Sequence, residues 1–497
     1  MKKVFNFPVL LLVFAFAISG CNGQQSSVTS IRSSSLDSSE NSSSIDEGSS
    51  SSDDGYSSSD GGASKRDYLK KDVTVQMDPG LKESENPILP YDLVFNYDDE
   101  LFLKDAKTYD ADLAMASFMA SIATSNKTRG DAFYADLEFE NIVANDYDKN
   151  PTVDTMGYYM AHKAIDDFEL VTVAFRGFEY KMEWANNFII GKTGNHEGFN
   201  ARATEAYQAL KTYVATYAKD KTLKLWINGY SRAGSVSNLL SSLILSDEQP
   251  IVTQTNLFVY TFEAPAPLDE SNALPYENVF NIINEGDLIA SIPPQSYGLK
   301  RCGVDVSIYN ANVDTIIKEF DPEIIFPEFK AIEDLTEEPL ASDLEVRDYV
   351  LASVFQKDED DVSSVDMLAN TREQYVDNYQ TGLSSGIGYI FALKEATRAR
   401  LLSDLMDLGF GALSIIGDET GEALMNFLKP YLDADEVTYN EETLQSDCAV
   451  VIKGVQGLFL TILLMYLGDD YKGSLTRLID MHYPETTYVL LKNMTAE

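Results

Sequence analysis

Ser231 lies in the run Gly229-Tyr230-Ser231-Arg232-Ala233-Gly234, between a β-prone stretch, Leu223 to Asn228, and a helical one, Ser235 to Leu245. A strand that turns sharply into a helix holds a serine hydroxyl out at the turn, and the residues two before and two after it must be small to avoid clashing. Gly229 and Ala233 meet that demand, with the more usual second glycine standing one place later at Gly234. The helix start also sets N–H groups and a positive dipole end beside the serine. Alone, a loosened G-x-S-x-[GA] is a weak signal; the strand before it and the helix after it give it weight.

A serine is a poor nucleophile without a base. The chain has 3 histidines, His162, His196 and His482, and only His482 follows Ser231. Where a nucleophile sits on a strand-to-helix elbow the chain order is serine, acid, histidine, so His482 is the expected base. Its bland alternative is a surface or core histidine near the C-terminus. The orienting acid belongs on a loop past the C-terminal end of a strand, where it fixes the imidazole tautomer and stabilises the imidazolium. Asp287, in Asn284-Glu285-Gly286-Asp287-Leu288-Ile289, stands there and is favoured; Glu263, in Phe262-Glu263-Ala264-Pro265, is the second candidate.

These residues need a scaffold. Asp110 to Thr124 and Phe199 to Lys219 carry helical periodicity. Leu170 to Phe175 is a continuous β-prone run, as expected of a strand buried on both faces, and Leu257 to Phe262 and Val279 to Asn284 join Leu223 to Asn228 as further strands. Strands separated by helices predict an α/β fold, a doubly wound and mostly parallel sheet with helices on both faces. From about Lys300 to Asp480 the texture turns helical (Glu395 to Leu408, Thr420 to Leu432), which predicts a large helical insertion between the acid and the histidine. Val450 to Leu467 is mostly apolar, but Lys453 and Gln456 interrupt it, so a buried helix is favoured over a membrane span.

Several separate stretches resemble the class 3 lipases, the α/β-hydrolase family of fungal triacylglycerol lipases and bacterial relatives. Val173-Ala174-Phe175-Arg176-Gly177-Phe178, followed by Trp184 and Asn187, is similar to the family's strand, F-R-G-[ST] turn and W-x-x-N. His196-Glu197-Gly198-Phe199 is similar to its H-x-G-F, the stretch Asn284 to Pro294 to its N-x-x-D-x-[VI]-x-x-[LI]-P, and His482-Tyr483-Pro484-Glu485 follows in the family's order. The resemblance covers Asp110 to Pro294 and resumes from Asp480 to Leu491. It implies Ser231 as nucleophile, Asp287 as orienting acid and His482 as general base. The backbone N–H groups of Phe178 and Arg232 would form the oxyanion hole, and His162 and His196 would be structural. There are departures: Phe178 replaces the usual Thr or Ser, Tyr230 the usual His before the serine, Ala233 a Gly, and Glu263 stands where Gly is common.

The rest of the chain narrows the setting. Of 497 residues, 79 are Asp or Glu against 38 Lys or Arg, and a net charge of −41 excludes nucleic acid as a partner. Few His and 3 Cys argue against a Cys/His zinc site, and neither a metal nor an organic cofactor is expected. Lys2, Lys3 and the apolar run Val9 to Ala17 end in Ile18-Ser19-Gly20-Cys21, which resembles a bacterial lipobox with Cys21 lipidated. Residues 22–66 are Ser-rich and too polar to offset their ordering entropy, so a disordered tether is expected. The expected organisation is a signal at 1–21, a tether at 22–66, a hydrolase core at 67–299, a helical insertion or cap at 300–479, and a C-terminal core segment at 480–497. The expected function is a membrane-anchored, extracytoplasmic serine ester hydrolase, a monomer acting on an ester or lipid. The alternative is an inactive surface lipoprotein of the same fold that binds a lipid or cell-surface ligand. Pairing of Cys302 with Cys448 is left open.

Overall fold

The computed structural model describes residues 68–77, 91–148, 151–177, 181–218, 221–310, 371–408, 412–467 and 481–496, with a few positions between 344 and 351. The signal, Cys21, the tether and Phe178 lie outside the described residues, as does much of the insertion.

The chain opens with an antiparallel hairpin, β1 (Lys70–Met77) and β2 (Tyr91–Asp98), in which Lys70 faces Asp98 and Met77 faces Tyr91. Val73, Val75 and Met77 alternate with outward residues and are buried, the period of a strand with one face on a core. That face packs on helix α1 (Ala111–Ala123), whose N-terminus is capped by the Asp110 side chain accepting from Leu113 N. Helix α2 (Lys127–Asp136) follows and is capped by Asn126.

The main sheet has seven strands in the order β11-β9-β7-β6-β5-β4-β3. They are β3 (Glu140–Asn145), β4 (Tyr158–Ile165), β5 (Phe168–Phe175), β6 (Thr222–Tyr230), β7 (Leu257–Phe262), β9 (Val279–Ile283) and β11 (Val304–Ser307). Strands β5, β6, β7, β9 and β11 run parallel, and β3 and β4 add an antiparallel edge. A short pair, β8 (Leu268–Asp269) with β10 (Leu299–Lys300), stands apart. Because β11 pairs with β9, the sheet continues past residue 299, where the sequence placed the end of the core. Helices α3 (Glu197–Tyr217) and α4 (Arg232–Ser246) pack on one face of the sheet. The other face receives α1, the hairpin and α9 (Pro484–Ala496), with Phe118 of α1 between Tyr230, Phe262 and Tyr488. Each large side chain buried this way contributes about 1.5–3 kcal/mol.

Strand β4 is sheet interior despite His162 and Lys163 at its centre, and both are buried. His162 Nδ1 donates to Glu169 at 2.5 Å, and Lys163 donates to Asp99 at 2.9 Å. Paired this way, the two groups avoid the cost of unpartnered burial.

The helical part contains α5 (Thr381–Ala392), α6 (Glu395–Asp407), α7 (Glu422–Ala434) and α8 (Glu441–Leu467), around a core that includes Ile387, Phe391, Leu428 and Leu444. Among the described residues no helix is long and apolar enough to cross a membrane. Cys302 and Cys448 are both free and buried, in separate hydrophobic clusters.

Candidate active site

Ser231 follows the last residue of β6 and precedes α4, with φ 56° and ψ −127°. A non-glycine residue in that region is strained and persists only where its surroundings fix it. Here Ser231 N donates to Phe262 O of the neighbouring β7 at 2.7 Å. Gly229 is required by space, since a Cβ there would lie 2.4 Å from Ala233 O. Gly177 is likewise required, its Cβ position being 2.6 Å from Tyr230 O, which presses the turn after β5 against the end of β6.

Asp287 sits past β9 and His482 just before α9, so the acid comes from the loop after an interior strand and the histidine from the C-terminal segment. Ser231 Oγ and His482 Nε2 are 2.8 Å apart, and His482 Nδ1 and Asp287 Oδ2 are 2.6 Å apart. The remaining Asp287 oxygen, Oδ1, accepts from Ile289 N at 2.7 Å. Asp287 is fully buried and Ser231 is 8% exposed. The three side chains form one continuous relay, in which Nδ1–H donates to the acid and leaves Nε2 to accept the serine proton. Glu263, the second candidate acid, bonds the backbone of Asn284 and the Thr487 hydroxyl, and lies against Asp287.

Two of the other expected positions are ordinary by geometry. His196 caps α3, its Nε2 donating to Asn187 O at 3.2 Å and its Nδ1 accepting from Phe199 N. Burial lowers its pKa to about 3, so it stays neutral. His162 belongs to the β4 pair described above. Arg232 supplies the first amide of α4.

Some residues that brace the site carry no signal in a serine–acid–histidine search. Glu183 is fully buried between two arginines of the matched motifs, 2.6 Å from Arg176 Nη2 and 3.0 Å from Arg232 Nη1. It thereby ties the turn after β5 to the residue following Ser231. Tyr230, buried under the elbow, donates to His482 O at 2.7 Å and straps the histidine segment to β6. Arg372, in the helical part, is buried and donates to the carbonyls of Ile190, Gly191, Thr193, Gly194 and Asn195. Tyr375 and Ser384 donate to Phe188 O and Ala185 O, while Met182, Trp184 and Phe188 pack on the helical core.

A sequence model of the family "Lipase (class 3)" matches residues 171–297, the span from β5 through the turn that carries Asp287. This segment is similar to the class 3 lipases. A lipase of Rhizomucor miehei is 23% identical over 167 residues, covering 30% of this chain and 45% of that protein, so the chain spans under half of that relative. Among solved structures, the Rhizomucor miehei triacylglyceride lipase is 16% identical, with a TM-score of 0.32 over 40% of this chain and 79% of that one. Lipase II of Rhizopus niveus is 17% identical, with a TM-score of 0.30 over 43% of this chain and 81% of its own. The class 3 match ends before the helical part, and His482 lies outside it.

Proposed function

We propose that this class 3 lipase chain is a serine ester hydrolase that works through an acyl-enzyme on Ser231. The observation that carries the proposal is the unbroken relay from Ser231 Oγ to His482 Nε2 and from His482 Nδ1 to Asp287 Oδ2, at 2.8 and 2.6 Å, on a strained elbow. His482 takes the serine proton as Oγ attacks the ester carbonyl, and Asp287 stabilises the imidazolium formed. His482 then protonates the leaving alcohol, and a water activated by the same imidazole releases the acid. The oxyanion is assigned to the N–H groups of Phe178 and Arg232, where loss of one donor costs about 2.7–4 kcal/mol.

The substrate class is a carboxylic ester with an apolar acyl chain, an acylglycerol or phospholipid among them. The packing of the helical part on Met182, Trp184 and Phe188, just downstream of the oxyanion turn, supports reading it as a cap over the acyl side. The reading also includes anchoring at Cys21 on the extracytoplasmic face of a bacterial membrane and a monomeric state. The test is hydrolysis of p-nitrophenyl esters of graded chain length by the full chain in detergent. Release that vanishes in Ser231→Ala is expected. Release that persists in that variant would overturn the mechanism, and its absence in the wild type would favour a binding role.

A further inference from the structure

Glu263 is an acid beside Asp287 that the relay does not use, and its placement is unusual in three ways. It is fully buried at the end of β7, with φ 48°, a conformation that disfavours any side chain. Both of its oxygens lie at hydrogen-bond distance from one donor, Asn284 N, at 3.1 and 3.0 Å, and Oε1 also accepts from the Thr487 hydroxyl at 3.2 Å. Its carboxyl also reaches that of Asp287.

We propose that Glu263 is a positioning residue that carries a proton at neutral pH and donates it as a hydrogen bond to the carboxylate of Asp287. The inference rests on the reading of Asp287 as the acid that orients His482. Two ionised carboxylates side by side in a buried site repel too strongly to persist, so one holds a proton. Asp287 already accepts on both oxygens, from His482 Nδ1 and from Ile289 N, so each of its oxygens faces a donor. The groups facing Glu263 are Asp287 on the acid loop, Tyr230 from β6 and Thr487 from the C-terminal segment, while Glu485 and the His482 carbonyl face Tyr230. Among the described residues no lysine or arginine forms an ion pair with it. Burial first, and the Asp287 charge second, push the Glu263 carboxyl well above the ordinary range. Oε1 accepts from both Asn284 N and Thr487, whereas Oε2 shares only the Asn284 donor, so Oε2 is the oxygen assigned the hydrogen. The pair then carries one negative charge, fixed in rotation from both sides, and presents it to the imidazole.

The test uses the full chain with glutamate-specific carbon-13 labelling, read by infrared spectroscopy at pH 7. An un-ionised carboxylic acid band that shifts with the label and is missing in Glu263→Gln is expected; no such band overturns the proposal. In ester hydrolysis Glu263→Gln, which keeps a donor, should hold kcat within about threefold, whereas Glu263→Ala should lower it more than about tenfold at similar KM. Gln as slow as Ala would also overturn it. Fluorophosphonate labelling of Ser231 keeps the two ideas apart. An adduct without the band refutes only the Glu263 inference, whereas a band without any adduct removes the triad reading, and the positioning role falls with it.

Discussion

Around Ser231 the polar groups are fixed by short bonds between neighbouring sheet elements, whereas the helices from Arg372 onward meet the core chiefly through side chains donating to one loop. Ser231, Glu263 and Asp287 stand at the ends of the adjacent strands β6, β7 and β9, and their separations follow from strand pairing. The helical part has its own hydrophobic core and joins the sheet domain through Arg372, Tyr375, Ser384 and the apolar side chains of residues 182–188. The first arrangement sets chemistry to within a few tenths of an ångström. The second sets what surrounds the chemistry, and it can change without moving the relay.

The largest expected effects fall on the relay. Ser231→Ala should lower kcat by about 10⁶ and Asp287→Asn by about 10⁴, with the fold intact by circular dichroism. A milder loss in Asp287→Asn than in Glu263→Gln would reverse the assignment of the acid. Next comes the brace. Glu183→Ala leaves Arg176 and Arg232 buried without their anion, and should cost about 3–5 kcal/mol in denaturant unfolding. Arg372→Ala should separate the two regions, speeding proteolysis within the helical part while Ser231 still reacts with a fluorophosphonate. Equal loss of both would show that the regions stand or fall together.

The pH dependence of stability is a smaller effect with a definite sign. Glu263 has a raised folded pKa, so the folded state holds a proton that the unfolded chain releases near its ordinary value of about 4.3. Its contribution is complete below that value and is lost as pH rises through the folded pKa. Glu263→Gln should flatten this decline in a thermal melt series, and an unchanged slope would contradict it. Smallest is Tyr230→Phe, which removes the strap to His482 O and should cost about 1 kcal/mol.

The central strands and the elbow were legible because β5, β6, β7 and β9 are rich in apolar, β-prone residues, and because only one histidine follows Ser231. Strand β4 was not, since His162 and Lys163 interrupt its apolar pattern and become tolerable only through Glu169 and Asp99, distant in the chain or on another strand. The hairpin of β1 and β2 was hidden by charged outward residues such as Lys70 and Asp72. Glu183 and Thr487 could not be recognised as braces before the fold brought them to Arg232 and Glu263. The large helical insertion was visible as texture, but its attachment through Arg372 to backbone carbonyls leaves no mark in sequence spacing.

The most direct test is intact mass of the full chain after treatment with a fluorophosphonate ester. The relay predicts a single adduct that is absent in Ser231→Ala and forms far more slowly in His482→Ala. A folded wild-type protein that takes up no adduct, with or without detergent, would contradict an activated serine at this elbow.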